Sequence, residues 1–479
     1  MKHIFILLFC LVFNVNIRAQ SVVISDEITV RNDAGYVIIG KFNDKTLLFR
    51  DRITSFEINA YDEQMHLAWN KALEIDERRG SVLDVVAGKD NFTAIVKYKA
   101  RGHTSIKLHR YNAEAKEIDT LSVKDYGQRF LMPAPQSVLS EDKSKLLIYN
   151  INNDKEIETS VVDLVKNQII WEYNFTTQHE DLKSILKHTI VDNYGSVHFV
   201  LFDERSQNIF NTTAHQIELL EYGPGNTSST VQIIPITERY IYDKVFKYDN
   251  LNHRLVGTGL YAEKSREKAT GYFFFVTNPT HPEQYSLSFH AFEESMIAQT
   301  LGKTESTQKG IMDVKVQDVM LRKDGGAVLI IEEVRRLERM ISSGPRNSAF
   351  RDNTSMHFST DYYFEDLVAL SVNPDGTEQW HNVMQKRQFS QDDEGVFSSY
   401  GVFKSPSGIH LMFNDEVNPE TTTSEYLLRG NGNVNHTSIF NTNQQDVFLR
   451  FRDALQVSSN EIVVPSESRS QLKLVRIRF

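Results

Sequence analysis

Cysteine is all but missing: the 479 residues contain one, Cys10. It sits inside a short apolar run, Ile4 to Val15, which follows Lys2 and His3 and precedes Ala19 and Gln20. A basic start, an apolar stretch and a small residue are the pattern of a secretory signal. Residues 1–19 are therefore expected to be a signal peptide. Residues 20–479 are expected to be one exported domain, whether periplasmic, outer-membrane-associated or secreted. Bulky Phe9 stands where a lipoprotein signal needs a small residue, which argues against a lipid anchor at Cys10. The mature chain then has no thiol, which excludes disulfides, thiolate catalysis and cysteine-based metal sites.

Long apolar runs are also lacking. No stretch reaches the ~20 residues that a membrane helix needs, so no transmembrane segment is expected. Excess positive charge is absent as well. The formal net charge is −10, with 53 Lys and Arg against 63 Asp and Glu. Loss of Lys2 and Arg18 with the signal would make the balance more acidic still, which argues against nucleic acid as a partner. Helical periodicity is nearly missing too, the best candidate being the short segment Gln178 to His188.

What the chain does have is a repeat. Its three tryptophans, Trp69, Trp171 and Trp380, each follow an apolar strand-like run and a polar turn. Phe56 to Trp69 and Leu367 to Trp380 have the same 13-residue separation. Polar turns recur as Gly88-Lys89-Asp90-Asn91, Asp192-Asn193-Tyr194-Gly195, Lys323-Asp324-Gly325-Gly326 and others. Asn, Asp and Gly suit hairpin turns because they accept positive φ or bond to nearby backbone. Outer-strand positions are predicted at Trp69, Ile118, Trp171, Val231, Tyr285, Trp380 and Ile439. They fall 49, 53, 60, 54, 95 and 59 residues apart.

The long interval contains an insertion at about 335–361. After Ile439 only three strands remain, and Val22–Val30 can supply the fourth. The expectation is an all-β fold, an eight-bladed β-propeller closed by strands from both termini, with seven blades as the alternative. Closure of this kind removes exposed sheet edges.

The step Tyr61 to Trp69, repeated in Asn373 to Trp380 and shortened in Lys166 to Trp171, resembles the repeat of quinoprotein-type propellers. The whole chain is also similar to exported propellers of unknown function found in Bacteroidota. The first resemblance implies blade packing by Trp69, Trp171 and Trp380. The quinone chemistry of that family finds no acidic constellation or cysteine pair here, and no cofactor is expected.

Catalytic motifs are scarce. There is no His-Glu-x-x-His, no Gly-x-Ser-x-Gly and no phosphate-binding glycine loop, so neither catalytic nor metal residues are assigned. Acidic neighbours such as Glu332-Glu333 and Asp392-Asp393 suit two-carboxylate glycoside chemistry, but adjacent residues on a strand point to opposite faces. The insertion is the most distinctive segment. It carries Arg335, Arg336, Arg339, Arg346 and Arg351, then Tyr362 and Tyr363, and the Asp392-Asp393 loop is expected on the same face. Arginine forks match carboxylates and phosphates, so this region is the candidate binding site for an envelope protein or glycan. The plainer reading is a mobile loop whose charges only aid solubility. The functional expectation is a binding or scaffold module of the bacterial envelope; the alternative is a carbohydrate-active enzyme with carboxylates at the propeller axis.

Overall fold

The computed structural model describes residues 20–479 except 54, 76–79, 101, 130–132, 203–214, 226–229, 237–238, 264–266, 279–280, 344–354, 418–420 and 443–444. The expected signal, Arg346 and Arg351 lie outside the described residues. Eight antiparallel sheets follow one another along the chain. In seven of them the four core strands come in sequence order, and in the eighth the last three strands of the chain are joined by the first. The first strands of neighbouring blades meet around the axis, and later strands lie progressively outward. The fold is an eight-bladed β-propeller.

Each predicted outer-strand marker falls on the fourth strand of its blade, from Leu67–Ala72 in blade one to Val434–Asn441 in blade seven. The turns follow from their residues. In blade four, Asp192 Oδ1 accepts the amides of Tyr194 and Ser196, while Gly195 takes φ +93°, a region most side chains avoid. The second strands of the blades are buried over most of their length because a neighbouring blade covers each face. Val197–Phe202 is buried at every position. The core accordingly lies between blades. Leu147, Tyr149, Val161 and Trp171 of blade three pack in one cluster with Phe199, Leu201, Leu220 and Tyr222 of blade four.

Ring closure matches the expectation. Ser21–Ile24 pairs antiparallel with Val475–Arg478, and Ile28–Thr29 continues along the same strand to Gln471. Charges reinforce the seam with blade one. Lys41 bridges Glu63 at 2.7 Å and Glu461 at 2.9 Å, and Arg478 reaches Glu63 at 3.0 Å. The helical expectation for Gln178 to His188 holds only for Leu182–Ile185. From Leu186 the chain becomes the first strand of blade four, where pairing with Val197–Leu201 outweighs weak local propensity.

Candidate functional site

Blade six departs from its siblings. Its second and third strands, Ala327–Ser343 and Ser355–Val372, are 17 and 18 residues long. The first strand, Val314–Leu321, pairs only as far as Glu333, and the fourth, Glu378–Met384, only as far as Leu367. Beyond those points the hairpin runs on as an arm. A short strand, Gln388–Gln391, joins its flank by pairing with Asp361–Phe364. The predicted insertion is thus strand as far as Ser343 and again from Ser355, rather than a loop. Backbone pairing of Val334–Ser343 with Ser355–Phe364 explains the order.

Strand alternation sorts the predicted residues onto two faces of the arm. One carries Arg335, Leu337, Arg339, Asp361, Tyr363 and Phe389. Arg335 lies over the Tyr363 ring at 4.6 Å, and Tyr363 meets Phe389 at 5.1 Å. Leu337 and Phe389 are 43% and 48% exposed. The other face carries Arg336 over Tyr362, beside Glu338 at 2.8 Å, with Met340 and Phe358 exposed farther out. The arginines are not free cations. Arg335 faces Glu365 at 3.6 Å, and Arg339 is bonded to Asp361 at 2.6 Å, which holds that carboxyl below its ordinary range.

The acidic neighbours are brought to the arm, as expected, but as internal fasteners. Asp392 accepts the Thr360 amide at 2.7 Å and the Ser359 hydroxyl at 3.0 Å. Asp393 accepts the Ser390 hydroxyl and the Gly395 amide within its own turn.

At the foot of the arm lies a cleft of about 560 Å³, lined by Thr300, Gly302, Glu333, Glu365, Asp366 and Arg387 among others. The pair Glu332-Glu333 splits here as strand alternation requires. Glu332 turns inward to a fully buried ion pair with Lys386 at 2.9 Å. Lys386 also donates to the Phe364 carbonyl and to Gln388, while Ser399 and Gln317 donate to Glu332. Burial pulls the Lys386 ammonium below its usual pKa, opposed chiefly by Glu332. Glu333 turns outward to the cleft. Partial burial, then the charges of Glu365 and Asp366, push its carboxyl up to about 7. Asp366 is also raised, mainly by burial. A carboxyl that exchanges its proton near neutrality beside two others can shuttle protons or share one.

Glu365, Asp366 and Lys386 escaped the sequence reading. The only available signal was the run Glu365-Asp366 directly after the aromatic segment, and nothing in it shows that the cleft forms there. The three carboxylates stand on the second and third strands of blade six, not on the innermost strands that line the axis.

No protein-family model matches the chain, and neither does any curated protein. Among solved structures, the polysaccharide lyase Uly1 is similar at 9% identity and TM-score 0.41, over 95% of this chain and 99% of the other. Dipeptidyl peptidase 4 of Porphyromonas gingivalis aligns at 10% identity and TM-score 0.44, over 91% of this chain and 56% of its own. The WD40 domain of SCAP from fission yeast aligns at 8% identity and TM-score 0.42, over 96% and 98%. These loose likenesses carry no argument about activity.

Proposed function

We propose that the protein is an exported binding module of the bacterial envelope that docks a partner through the arm of blade six. The observation that carries this reading is the stack of Arg335, Tyr363 and Phe389 on an arm that extends past its own blade, next to exposed Leu337. Arginine and tyrosine are the residue types that dominate binding hot spots, and a guanidinium already steadied by a ring loses little freedom on contact. Because each arginine of the described arm has a carboxylate neighbour, contact is carried by the aromatic–arginine surface more than by net positive charge. The export assignment rests on the apolar run Ile4 to Val15.

The test is affinity capture from envelope extracts with wild-type protein and an Arg335→Ala/Phe389→Ala variant. The variant should lose the proteins or glycans that wild type retains while keeping its unfolding temperature. Equal capture by both would overturn the assignment to the arm.

A second reading, a carbohydrate-active enzyme, is favoured by Glu333, since a proton-bearing carboxyl beside Glu365 fits general acid–base work. New reducing ends or unsaturated products from a panel of acidic glycans, abolished in Glu333→Gln, would support it.

A further inference from the structure

The outer corner where blade five meets blade six holds a cluster separate from the arm and its cleft. Glu293 lies just after the last strand of blade five, His281–Ala291, while Glu378 and His381 belong to the fourth strand of blade six. One ligand atom from each of these three side chains lies within 4.8 Å of the others. His381 Nδ1 is 2.6 Å from Glu378 Oε1.

That convergence depends on a backbone irregularity. Residues three apart on a regular strand point to opposite faces. Here Ser371 pairs with Trp380 and Val372 with Glu378, which leaves Gln379 as the extra residue of a β-bulge. The bulge resets the alternation, so Glu378 and His381 share a face, while Trp380 packs with the core between blades six and seven. Bulges that re-aim side chains recur beside functional sites. The wall toward blade five is also polar. The Tyr272 hydroxyl donates to the Gly376 carbonyl at 3.2 Å, and its ring is stacked on His290 at 5.3 Å. His290 Nε2 is buried with no hydrogen-bond partner among the described residues, beside Gly376 of the same turn.

We propose that Glu293, Glu378 and His381 form a binding site for one divalent transition-metal ion of the zinc type. Two carboxylates with one imidazole make a mixed oxygen and nitrogen set, which suits zinc better than the all-oxygen shells of calcium or magnesium. A tetrahedral ion with bonds of about 2.0–2.1 Å keeps its ligands roughly 3.3 Å apart. Binding therefore opens the His381–Glu378 contact by less than about 1 Å and draws Glu293 inward. The ion displaces the proton now held between imidazole and carboxylate. Three protein ligands leave a fourth position for water or an incoming group. The ion would also tie the connection between blades five and six to the outer strand of blade six.

The experiment is calorimetric titration of the metal-stripped mature protein with Zn²⁺, alongside the visible spectrum of the Co²⁺ form. Wild type should bind one equivalent and give the intense absorption of a four-coordinate Co²⁺ site. His381→Ala should lose that spectrum, and Glu293→Gln should weaken Zn²⁺ at least about tenfold, or ~1.4 kcal/mol. Glu293 is exposed, so its variant keeps the test valid even if His381→Ala fails to fold. Zn²⁺ should raise the unfolding temperature of wild type by more than that of either variant. Absence of stoichiometric binding, or binding that both variants retain in full, would overturn the proposal.

Discussion

Trp171, on the outer strand of blade three, donates its indole N–H to the main-chain carbonyl of Gly195, 2.8 Å away in the first turn of blade four. The other two tryptophans also face the following blade. Trp380 lies against Gly432, in the last turn of blade seven, and Trp69 packs against the core cluster shared by blades one and two. At Trp171 and Trp380 the repeated step in the sequence is thus a latch from an outer strand to a turn of the next blade, where large rings cover apolar area that would otherwise face water.

The two latches should differ in strength. Trp171 is 7% exposed and hydrogen-bonded, so Trp171→Ala should cost about 3–5 kcal/mol in reversible denaturation. Trp380 is half-buried and its indole nitrogen has no partner among the described residues, so Trp380→Ala should cost only about 1–3 kcal/mol. Equal losses would mean that the bond to Gly195 contributes nothing.

Removing one member of the Lys386–Glu332 pair strands a charge with no access to water. Lys386→Met should destabilise by about 3–5 kcal/mol. Adding Glu332→Leu should recover much of that loss, because an apolar pair needs no compensation. A double variant as unstable as the single one would show that the remaining polar partners, Ser399 and Gln317, matter more than the charge.

The raised carboxyl of Glu333 gives stability a direction with pH. Its folded pKa, about 7, lies above the ordinary value of 4.5, so the folded state holds the proton more tightly than the unfolded chain. Ionisation in the folded state is therefore unfavourable. The contribution favours folding at low pH and is lost as pH rises from about 4.5 through 7. Glu333→Gln should raise the unfolding temperature at pH 8 and change it little at pH 5. The reverse order, read by thermal melts at both pH values, would mean that Glu333 is stabilised as the anion.

The seam in blade eight predicts the effect of truncation. Deleting residues 472–479 removes the strand that pairs with Ser21–Ile24, Ile28–Thr29 and Glu461–Ser468. The ring would be left with open edges, and the truncated chain should run as oligomers in size exclusion at concentrations where the full chain is monodisperse. A monodisperse product with an unchanged melt would show that blade eight is dispensable.

The blade count, the outer-strand markers and the closing strand were legible because each depends on local signals: two-residue alternation, turn chemistry and one large aromatic. The arm was legible only as a long interval. Its strand character comes from pairing between Val334–Ser343 and Ser355–Phe364, which composition rich in arginine and serine does not announce. Glu332 and Glu333 were visible as a pair, yet nothing local revealed that Lys386 would be buried against one and Asp366 would crowd the other. The cluster at Glu293, Glu378 and His381 needs a bulge at Gln379 and the meeting of two blades, and neither leaves a pattern in the sequence.

Antiparallel pairing of Ser21 with Arg478 places both ends of the described chain at one spot of the ring. Strands alternate direction through each blade, so this spot lies on the side of the first-to-second-strand turns, such as the one that holds Gly195 in blade four. The second-to-third-strand connection of blade six, which is the arm, points the opposite way. Anything attached at either end would hold the ring like a stem and leave the arm on the far side, clear of the attachment.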